Sequence, residues 1–474
     1  MRVYASILTK KRHARWALIG ALFLILSACS SQTTSGTGRA TPTTYPTLAP
    51  WVPTLTPTNV PYSTAVPGTM PHVDGLLYTA TMDGTVLAIN PATGATIWSV
   101  SAGTSVSLLA TDHALYVSYG DHLDALRPSN GAQLWTASGE GAIADQDGVL
   151  YVQRQEGIAA LNDLTGATRW TWTPPAEDEF EARLVFGSGV VIIVTGVRGG
   201  GGGSAYYGLH ALNTSSGATR WERPRGNTAI GVPAIVGDRV YLCWWSNSTG
   251  KLGAYTLSTG ATLWEHNWTA FNGADGADIR SADSQHIYLG IGEAGLAALR
   301  ASDGATLWSH DPLASGEGEL YPFAITATSV YIGVGGAIAR FDAASGTPIW
   351  SQPAAGGGPV LRDGAIYLWR HSPDVAYALD ATTGAIRWRF PAALTDIIIR
   401  NGVLFSHADH DPNAQPQVST DAIYALNATT GALYWRRDLP SPIMFGPFLE
   451  PRPHLSREAR PVMPVMRSTI ISRR

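Results

Sequence analysis

Short apolar runs, most with an aromatic residue near the centre, recur along the chain between polar or glycine-containing stretches. Eight of them are built alike: Leu77-Tyr78, Leu115-Tyr116-Val117, Leu150-Tyr151-Val152, Val240-Tyr241-Leu242, Ile287-Tyr288-Leu289, Val330-Tyr331-Ile332, Ile366-Tyr367-Leu368 and Leu404-Phe405. Residues 190–194 fill the same place in one further copy with aliphatic side chains alone. Runs of this length, bounded by turn residues, predict short β-strands.

A second pattern follows each apolar run. Nine times along the chain a glycine stands four residues before a tryptophan: Gly94/Trp98, Gly131/Trp135, Gly166/Trp170, Gly217/Trp221, Gly260/Trp264, Gly304/Trp308, Gly346/Trp350, Gly384/Trp388 and Gly431/Trp435. Successive tryptophans are on average about 42 residues apart. A period near 40 residues indicates a repeat architecture in which each repeat is one small structural unit.

The residues around each glycine–tryptophan pair predict a strand, a turn and a second strand. Alanine stands ten residues before the tryptophan in eight of nine copies, and Arg340 is the exception. Asn or Asp stands eight residues before it in six copies, where the side chain can hydrogen-bond to the turn backbone. The glycine supplies a positive φ, and the tryptophan buries a large apolar surface. We therefore interpret these residues as turn and packing residues, not as a site.

About four short strands per unit predict an all-β fold, a β-propeller of four-stranded blades. The first copy has no obvious innermost strand before it, and the nine tryptophans enclose eight full units. This favours eight blades, with one terminal half-unit completing or decorating the ring. Nine blades and seven blades are the alternatives.

The pattern Ala-Leu-Asn/Asp-x-x-Thr-Gly-Ala-x-x-Trp resembles the repeat of the quinoprotein-like β-propeller family, over residues from about 75 to 440. That family includes the pyrroloquinoline-quinone (PQQ) dehydrogenases and the propeller lipoprotein of bacterial outer-membrane barrel assembly, and the chain resembles the lipoprotein more. The resemblance implies PQQ with Ca²⁺ as a conceivable cofactor. However, the chain lacks the adjacent cysteines of the family's alcohol dehydrogenases, and no metal-binding or base motif of the family maps onto it. We therefore expect no cofactor and no catalysis.

The N-terminus has the layout of a secretory signal. A basic segment ending at Arg15 precedes an apolar run over residues 16–26, which is short for a membrane span. The run ends in Leu26-Ser27-Ala28-Cys29, which resembles the bacterial lipobox. The resemblance implies cleavage before Cys29 and acylation of that residue. An ordinary secretory signal with an incidental cysteine is the alternative.

Composition divides the chain into four parts. Residues 1–28 are predicted to be the lipoprotein signal peptide, and residues 29–67, rich in Thr, Pro and Ser, an extended tether. The propeller is assigned to residues 68–445, and residues 446–474, which contain Arg and Pro, to a disordered tail.

The charge of the chain limits its possible binding partners, and its cysteine content limits disulfide formation. Only 14% of the residues are charged and the formal net charge is −4, which argues against nucleic-acid binding. The chain has two cysteines, so acylation of Cys29 would leave Cys243 without an intramolecular partner. Cys243 lies in an apolar run and is predicted to be a buried, inert thiol.

One late loop contains a cluster of potential metal ligands. His407, Asp409, His410 and Asp411 lie within five residues, and His at positions i and i+3 with carboxylates can bind a metal ion. The alternative is a polar loop without a metal, since the surrounding residues 406–421 are rich in Pro, Gln and Asn.

Three tryptophans outside the repeat position lie close together in the sequence. Trp244, Trp245 and Trp268, if exposed, would form an aromatic platform for a sugar or a protein partner. Strand alternation places only one of Trp244 and Trp245 on a given face, so packing within the blade is the alternative.

Taken together, the sequence predicts an extracytoplasmic propeller anchored to a bacterial membrane through lipid on Cys29. It would be the outer membrane if the organism has one. The predicted function is that of a non-catalytic scaffold that binds a protein partner in the cell envelope. The alternative is a ligand-binding or quinone-dependent oxidoreductase propeller, with PQQ, metal or sugar in the channel or on the aromatic face.

Overall fold

The computed structural model describes residues 61–449 except 104–105, 140, 175–180, 199–203, 224–228, 247–248, 270–276, 292–294, 311–319, 335–336, 354–356, 371–373 and 409–420. These residues belong to one compact unit, Tyr45–Arg474. None of them lies in a helix long and apolar enough to cross a membrane. Cys29 and residues 450–474 lie outside the described ranges.

The described strands form nine antiparallel sheets, the blades of a propeller. Blade 1 contains β1 (Leu77–Thr81), β2 (Thr85–Ile89), β3 (Thr96–Ser101) and the last strand of the chain, β37 (Ile443–Leu449). Blade 2 contains β4 (Ser107–Ala110), β5 (Leu115–Tyr119), β6 (His122–Leu126) and β7 (Gln133–Ser138). Blade 3 contains β8 (Gly141–Gln146), β9 (Val149–Arg154), β10 (Gly157–Asn162) and β11 (Thr168–Trp172).

Blades 4 and 5 contain the longest strands. Blade 4 contains β12 (Glu181–Gly187), β13 (Val190–Arg198), β14 (Ser204–Asn213) and β15 (Thr219–Arg223). Blade 5 has a divided first strand, β16 (Ala229–Ile230) and β17 (Ala234–Val236), followed by β18 (Arg239–Ser246), β19 (Thr249–Thr256) and β20 (Thr262–Thr269). Blade 6 contains β21 (Ala277–Ala282), β22 (His286–Ile291), β23 (Gly295–Arg300) and β24 (Thr306–His310).

The last three blades complete the ring. Blade 7 contains β25 (Leu320–Ile325), β26 (Ser329–Val334), β27 (Ala337–Asp342) and β28 (Pro348–Gln352). Blade 8 contains β29 (Gly357–Arg362), β30 (Ala365–Arg370), β31 (Val375–Asp380) and β32 (Ile386–Phe390). Blade 9 contains β33 (Leu394–Arg400), β34 (Val403–Ala408), β35 (Ala422–Asn427) and β36 (Leu433–Asp438).

The first strands of the blades surround the centre of the ring. They contact one another in turn: β37 with β4, β4 with β8, β12 with β17, β17 with β21, β21 with β25, β25 with β29, β29 with β33 and β33 with β37. The fourth strands, which carry the repeat tryptophans, therefore form the outer rim. Each proline inside a described strand lies in one of these two edge positions, in β25, β28, β29 or β37, because proline cannot donate a ladder hydrogen bond.

The expectation of eight blades is wrong, and the alternative of nine is confirmed. Strand β37 pairs with β1 from Leu77–Leu449 to Thr81–Ile443, and so supplies the innermost strand that the sequence before the first copy does not contain. The first copy is therefore a complete blade, not a half-unit. Because β37 extends to Leu449, the first residues of the predicted tail are part of the propeller.

Eight of the nine repeat tryptophans join their blade to the next one by a hydrogen bond. The indole Nε1 donates to the backbone carbonyl that lies seven residues before the following tryptophan, as from Trp98 to Pro128 at 2.6 Å and from Trp308 to Ala343 at 2.9 Å; Trp350 is the exception. The last blade closes on the first in the same way, since Trp435 donates to Pro91 at 2.9 Å. The repeat therefore specifies the joints between blades as well as the blades.

Alanine at the tenth position before the tryptophan separates two aromatic rings within a blade. In blade 2, Ala125 pairs with Tyr116 on one side and with Trp135 on the other. The two rings meet over the small side chain, with their centroids 5.7 Å apart. The rings are similarly close in the other blades that have an aromatic residue here: the centroids are 6.3 Å apart in blade 6, over Ala298, and also in blade 7, where Arg340 takes the place of alanine. Tilted aromatic pairs are favourable at such distances.

Candidate functional site

The meander of each blade gives the ring two different faces. One face, here called the turn face, carries the turns between the first and second strands and between the third and fourth strands. The other, the loop face, carries the turns between second and third strands and the connections between blades. The glycine–tryptophan turns lie on the turn face, whereas most of the segments outside the described ranges interrupt the loop face.

Of the four predicted metal ligands, His407 is the one that lies among the described residues. His407 is buried near the end of β34, where its Nε2 is 3.0 Å from Thr395 Oγ1 and its Nδ1 is 3.9 Å from Asp396 Oδ2. Asp409, His410 and Asp411 lie outside the described residues. Within the described part of the chain, no three His, Cys, Asp or Glu side chains are placed to hold a metal ion. The metal site stays a prediction.

The three tryptophans of the predicted platform lie in blade 5. Trp245 and Trp268 both pair with Gly250, in the strand between them. Trp244 is half-buried and its ring stacks on that of Tyr255 at a centroid distance of 5.9 Å. Packing within the blade therefore accounts for Trp244. The side chains of Trp245 and Trp268 are outside the described ones, and the platform stays a prediction.

The structure tests the prediction for Cys243 but not the prediction for Cys29. Cys243 is 2% exposed in β18, and burial raises the pKa of its thiol above the ordinary range. A thiol with a raised pKa is a poor nucleophile at neutral pH, so Cys243 is buried and inert as predicted. The acylation of Cys29 is untested, because that residue is outside the described ranges.

Sequence analysis missed a pair of carboxylates within blade 3. Asp145 lies in β8, and Asp163 is 4% exposed in the glycine–tryptophan turn of the same blade. Burial, followed by the neighbouring charge of Asp163, raises the pKa of Asp145 to about 6; His113 opposes the shift, and Asp112 and Asp147 add to it. The sequence contained a signal for this pair, because Asp163 is the only charged residue among the nine that stand seven positions before a repeat tryptophan.

The segment before β1 is held against blades 8 and 9. The backbone N–H of Ser63 donates to the Arg389 carbonyl at 2.8 Å, and its hydroxyl donates to the Thr430 carbonyl at 2.7 Å. Further along, Asn401 Nδ2 donates to the His72 carbonyl at 2.8 Å. Thr430 and Asn401 belong to turns of blade 9 on the turn face. The N-terminal segment thus enters the propeller along that face.

The expectation that the protein has no PQQ cofactor stays a prediction. PQQ dehydrogenase chemistry needs Ca²⁺ held by several oxygen ligands. No suitable group of three side chains is found where the chain is described, and Cys243 lies within a blade without a second cysteine beside it. No reaction step through this cofactor is derived.

Comparison with known proteins agrees with this architecture. The sequence model of the family described as "Outer membrane protein assembly factor BamB" matches residues 59–170, 82–243, 154–320 and 334–449. The protein of that description from Burkholderia pseudomallei (strain K96243) is 25% identical over 287 residues, which are 56% of this chain and 71% of the relative.

Solved structures show similar folds. One described as the eukaryotic initiation factor has a TM-score of 0.58 at 11% identity, covering 79% of this chain and 98% of that chain. BamB from Moraxella catarrhalis has a TM-score of 0.44 at 19% identity, covering 64% of this chain and 93% of that chain. The first likeness bears on the fold alone. The family assignment rests on the sequence match, which extends over nearly the whole ring, and by that match the chain belongs to the outer membrane protein assembly factor BamB family.

Proposed function

We propose that this protein is a non-catalytic scaffold that takes part in assembling outer membrane proteins, held in the cell envelope by lipid on Cys29. The observation that carries the proposal is the family match, which covers residues 59–320 and 334–449 in overlapping copies. A fold alone hosts many functions, so the proposal depends on the family and not on the propeller as such.

The packing of the ring supports a scaffold role. The rings, alanines and glycines of the repeat are used to build the blades and to join them, and this leaves the two faces as binding surfaces. Repeat proteins commonly use such extended, rigid surfaces to hold partners. A rigid platform keeps the entropic cost of association low, since little of it has to be ordered on binding.

The signal layout supports the location. Residues 1–28 and the Leu26-Ser27-Ala28-Cys29 sequence favour export and acylation. A tether that reaches the ring along the turn face would place the propeller away from the membrane surface but within its reach. The partner would then be a protein of the same envelope.

The proposal is tested by deleting the gene in its bacterial host and quantifying outer-membrane β-barrel proteins in the membrane fraction. We expect their abundance to fall and to recover when the wild-type protein is supplied. In vivo cross-linking should recover a stable envelope protein bound to the propeller. Unchanged β-barrel levels after deletion would contradict the proposal, as would stoichiometric PQQ bound to the purified protein after addition of PQQ and Ca²⁺.

A further inference from the structure

The joint between blades 7 and 8 departs from the repeat. In the other blades, alanine stands between the ring positions of the second and fourth strands, but in blade 7 Arg340 pairs with Tyr331 on one side and Trp350 on the other. An arginine side chain is too long to remain between the two rings. It must extend toward the neighbouring blade or into solvent.

Arg340 extends across the joint. Its Nε donates to Ser329 Oγ at 2.9 Å, and its Nη1 donates to the Thr382 carbonyl of blade 8 at 2.9 Å. The guanidinium carbon lies 6.0 Å from the centroid of the Tyr331 ring. These contacts hold the guanidinium in one position, while Nη2 has no hydrogen bond to any described residue. A positioned arginine with a free donor is suited to binding an anion.

The same joint lacks a hydrogen bond that the other eight have. Trp350 Nε1 is buried and has no hydrogen-bond partner among the described residues. The carbonyl at the equivalent place in blade 8, that of Ala381, accepts the Tyr331 hydroxyl at 3.1 Å, as the corresponding carbonyls at three other joints accept a tyrosine hydroxyl. In the other blades the tryptophan itself reaches this carbonyl. The replacement of alanine by arginine thus coincides with the loss of the tryptophan hydrogen bond at this joint.

An open groove lies at this joint on the turn face. Its volume is about 510 Å³, within the range of small-ligand sites, and it is lined by polar groups that include Thr326, Thr328, Arg340, Arg362 and Thr382. Asp363, whose carboxylate is 3.8 Å from Arg362 Nε, offsets one of the two guanidinium charges. The charged residues that line the groove, two arginines and one aspartate, therefore have a net positive charge in a chain whose formal net charge is −4, although the Asp342 carboxylate outside the lining also interacts with Arg340.

We propose that this groove binds an acidic segment of a protein partner, with a carboxylate paired to Arg340 and the neighbouring charge of Arg362 attracting the segment. The proposal rests on the scaffold function proposed above and names a surface for it. Guanidinium groups bind carboxylates through paired, charge-assisted hydrogen bonds. A polyphosphate such as nucleic acid is disfavoured, because two arginines in an acidic protein provide too little positive charge.

The test uses Arg340→Ala, which introduces the residue that eight other copies already have. The fold should therefore be retained, as checked by thermal unfolding. The probes are two fluorescein-labelled hexapeptides, (Asp-Gly)₃ and (Asn-Gly)₃, measured by fluorescence anisotropy at low salt. We expect the wild-type protein to bind the Asp peptide and not the Asn peptide, and Arg340→Ala to weaken binding about tenfold or more.

Two further variants make the result specific. Arg362→Ala removes an exposed guanidinium of the groove without touching the joint, and we expect it to weaken binding too. Arg154→Ala removes a guanidinium from blade 3 and should leave binding unchanged. The proposal is wrong if Arg340→Ala binds as the wild type does, if the wild type does not bind the Asp peptide, or if the Asn peptide binds equally.

Inorganic phosphate at the same ionic strength distinguishes the anion class. Displacement of the Asp peptide by phosphate but not by acetate would overturn the carboxylate assignment. The proposal and the scaffold function also fail separately. If Arg340→Ala restores outer-membrane protein levels in the deletion strain and the peptide does not bind, the groove is wrong while the scaffold function stands.

Discussion

At the scale of single residues, two constraints act on the glycine four positions before each tryptophan. Gly346 has φ +68°, and a Cβ placed on it would lie 2.5 Å from Cδ2 of Trp308 in the preceding blade. The backbone conformation and the indole packed against it therefore both exclude a side chain. Gly237 has a similar φ, +60°, but no atom lies within 4 Å of its Cβ position.

Substitutions at Gly346 and Gly237 separate the effect of the positive φ from the effect of the packed indole. We expect Gly237→Ala to cost about 1 kcal/mol, the price of a left-handed alanine. Gly346→Ala should cost roughly 1–3 kcal/mol more, because Trp308 must move away from the next blade. Urea unfolding of the two variants measures the difference. Equal midpoints would show that the indole does not constrain the glycine.

Asp145 makes stability depend on pH. Burial, as the main cause, raises the pKa of the Asp145 carboxyl from its ordinary value of 3.8 to about 6 in the folded state. The folded state therefore binds this proton more tightly than the unfolded state between about pH 4 and pH 6, and the free energy of unfolding falls as pH rises through that window.

Asp145→Asn should remove this pH dependence. We expect the variant to be more stable than the wild type above pH 6 by on the order of 1 kcal/mol, after allowance for partial exposure of the carboxyl. Denaturant unfolding between pH 4 and pH 8 gives the comparison. Asp121→Asn, at an exposed carboxylate beside His122, is the control and should keep the wild-type slope. If the free energy of unfolding of Asp145→Asn changes with pH as steeply as that of the wild type, Asp145 is not the source of the pH dependence.

At the scale of elements, strand β37 and the turn of blade 1 close the ring together. β37 pairs with β1 along the inner edge, and Trp435 of blade 9 docks on the turn that contains Pro91 and Gly94 at the rim. Without β37, the inner edge of β1 would present unpaired backbone groups, which promote aggregation.

Truncation tests this closure. A chain ending at residue 442 should lose cooperative unfolding and associate or expand in size-exclusion chromatography, because blade 1 then lacks its first strand. A chain ending at residue 449 keeps β37 and should behave as the full chain does. Similar compactness and stability of the two truncations would show that β37 does not close the ring.

The elements also show what could be read from the sequence. The strands, the turns and the role of Gly and Trp follow from local patterns, since each lies within one repeat. The full count of nine blades could not be made locally, because the first strand of blade 1 is supplied by residues 443–449 at the other end of the chain. Likewise, the sequence shows Arg340 as an exception to the alanine of the repeat, but the hydrogen bond from Arg340 to the Thr382 carbonyl depends on where the neighbouring blade lies.

At the scale of the whole molecule, the N-terminal segment determines where a tether would leave the ring. Ser63 and the residues after it are fixed to blades 8 and 9, so any anchor upstream pulls on that part of the rim. The groove between blades 7 and 8 opens on the same face. A partner bound there would lie close to the tether.

Cys29→Ala tests the anchor itself. We expect the wild-type protein in the membrane fraction and the variant in the soluble extracytoplasmic fraction, because loss of the acyl chains removes the membrane affinity. The folded propeller should be unaffected, which thermal unfolding of the purified variant can check. An unchanged membrane fraction for Cys29→Ala would mean that another segment or a partner holds the protein there.

The position of β37 also sets the order in which the protein can mature. Three strands of blade 1, β1 to β3, are synthesised first, and the fourth strand of the blade, β37, is synthesised last. The hydrogen bond from Trp435 to Pro91, which also closes the ring, joins residues that are 344 positions apart in the sequence. Contacts of such long range form late in folding. Blade 1, which is synthesised first, therefore stays incomplete until the last strand of the chain is available. A product that ends before residue 443 would leave the inner edge of β1 unpaired and exposed to proteases and to association.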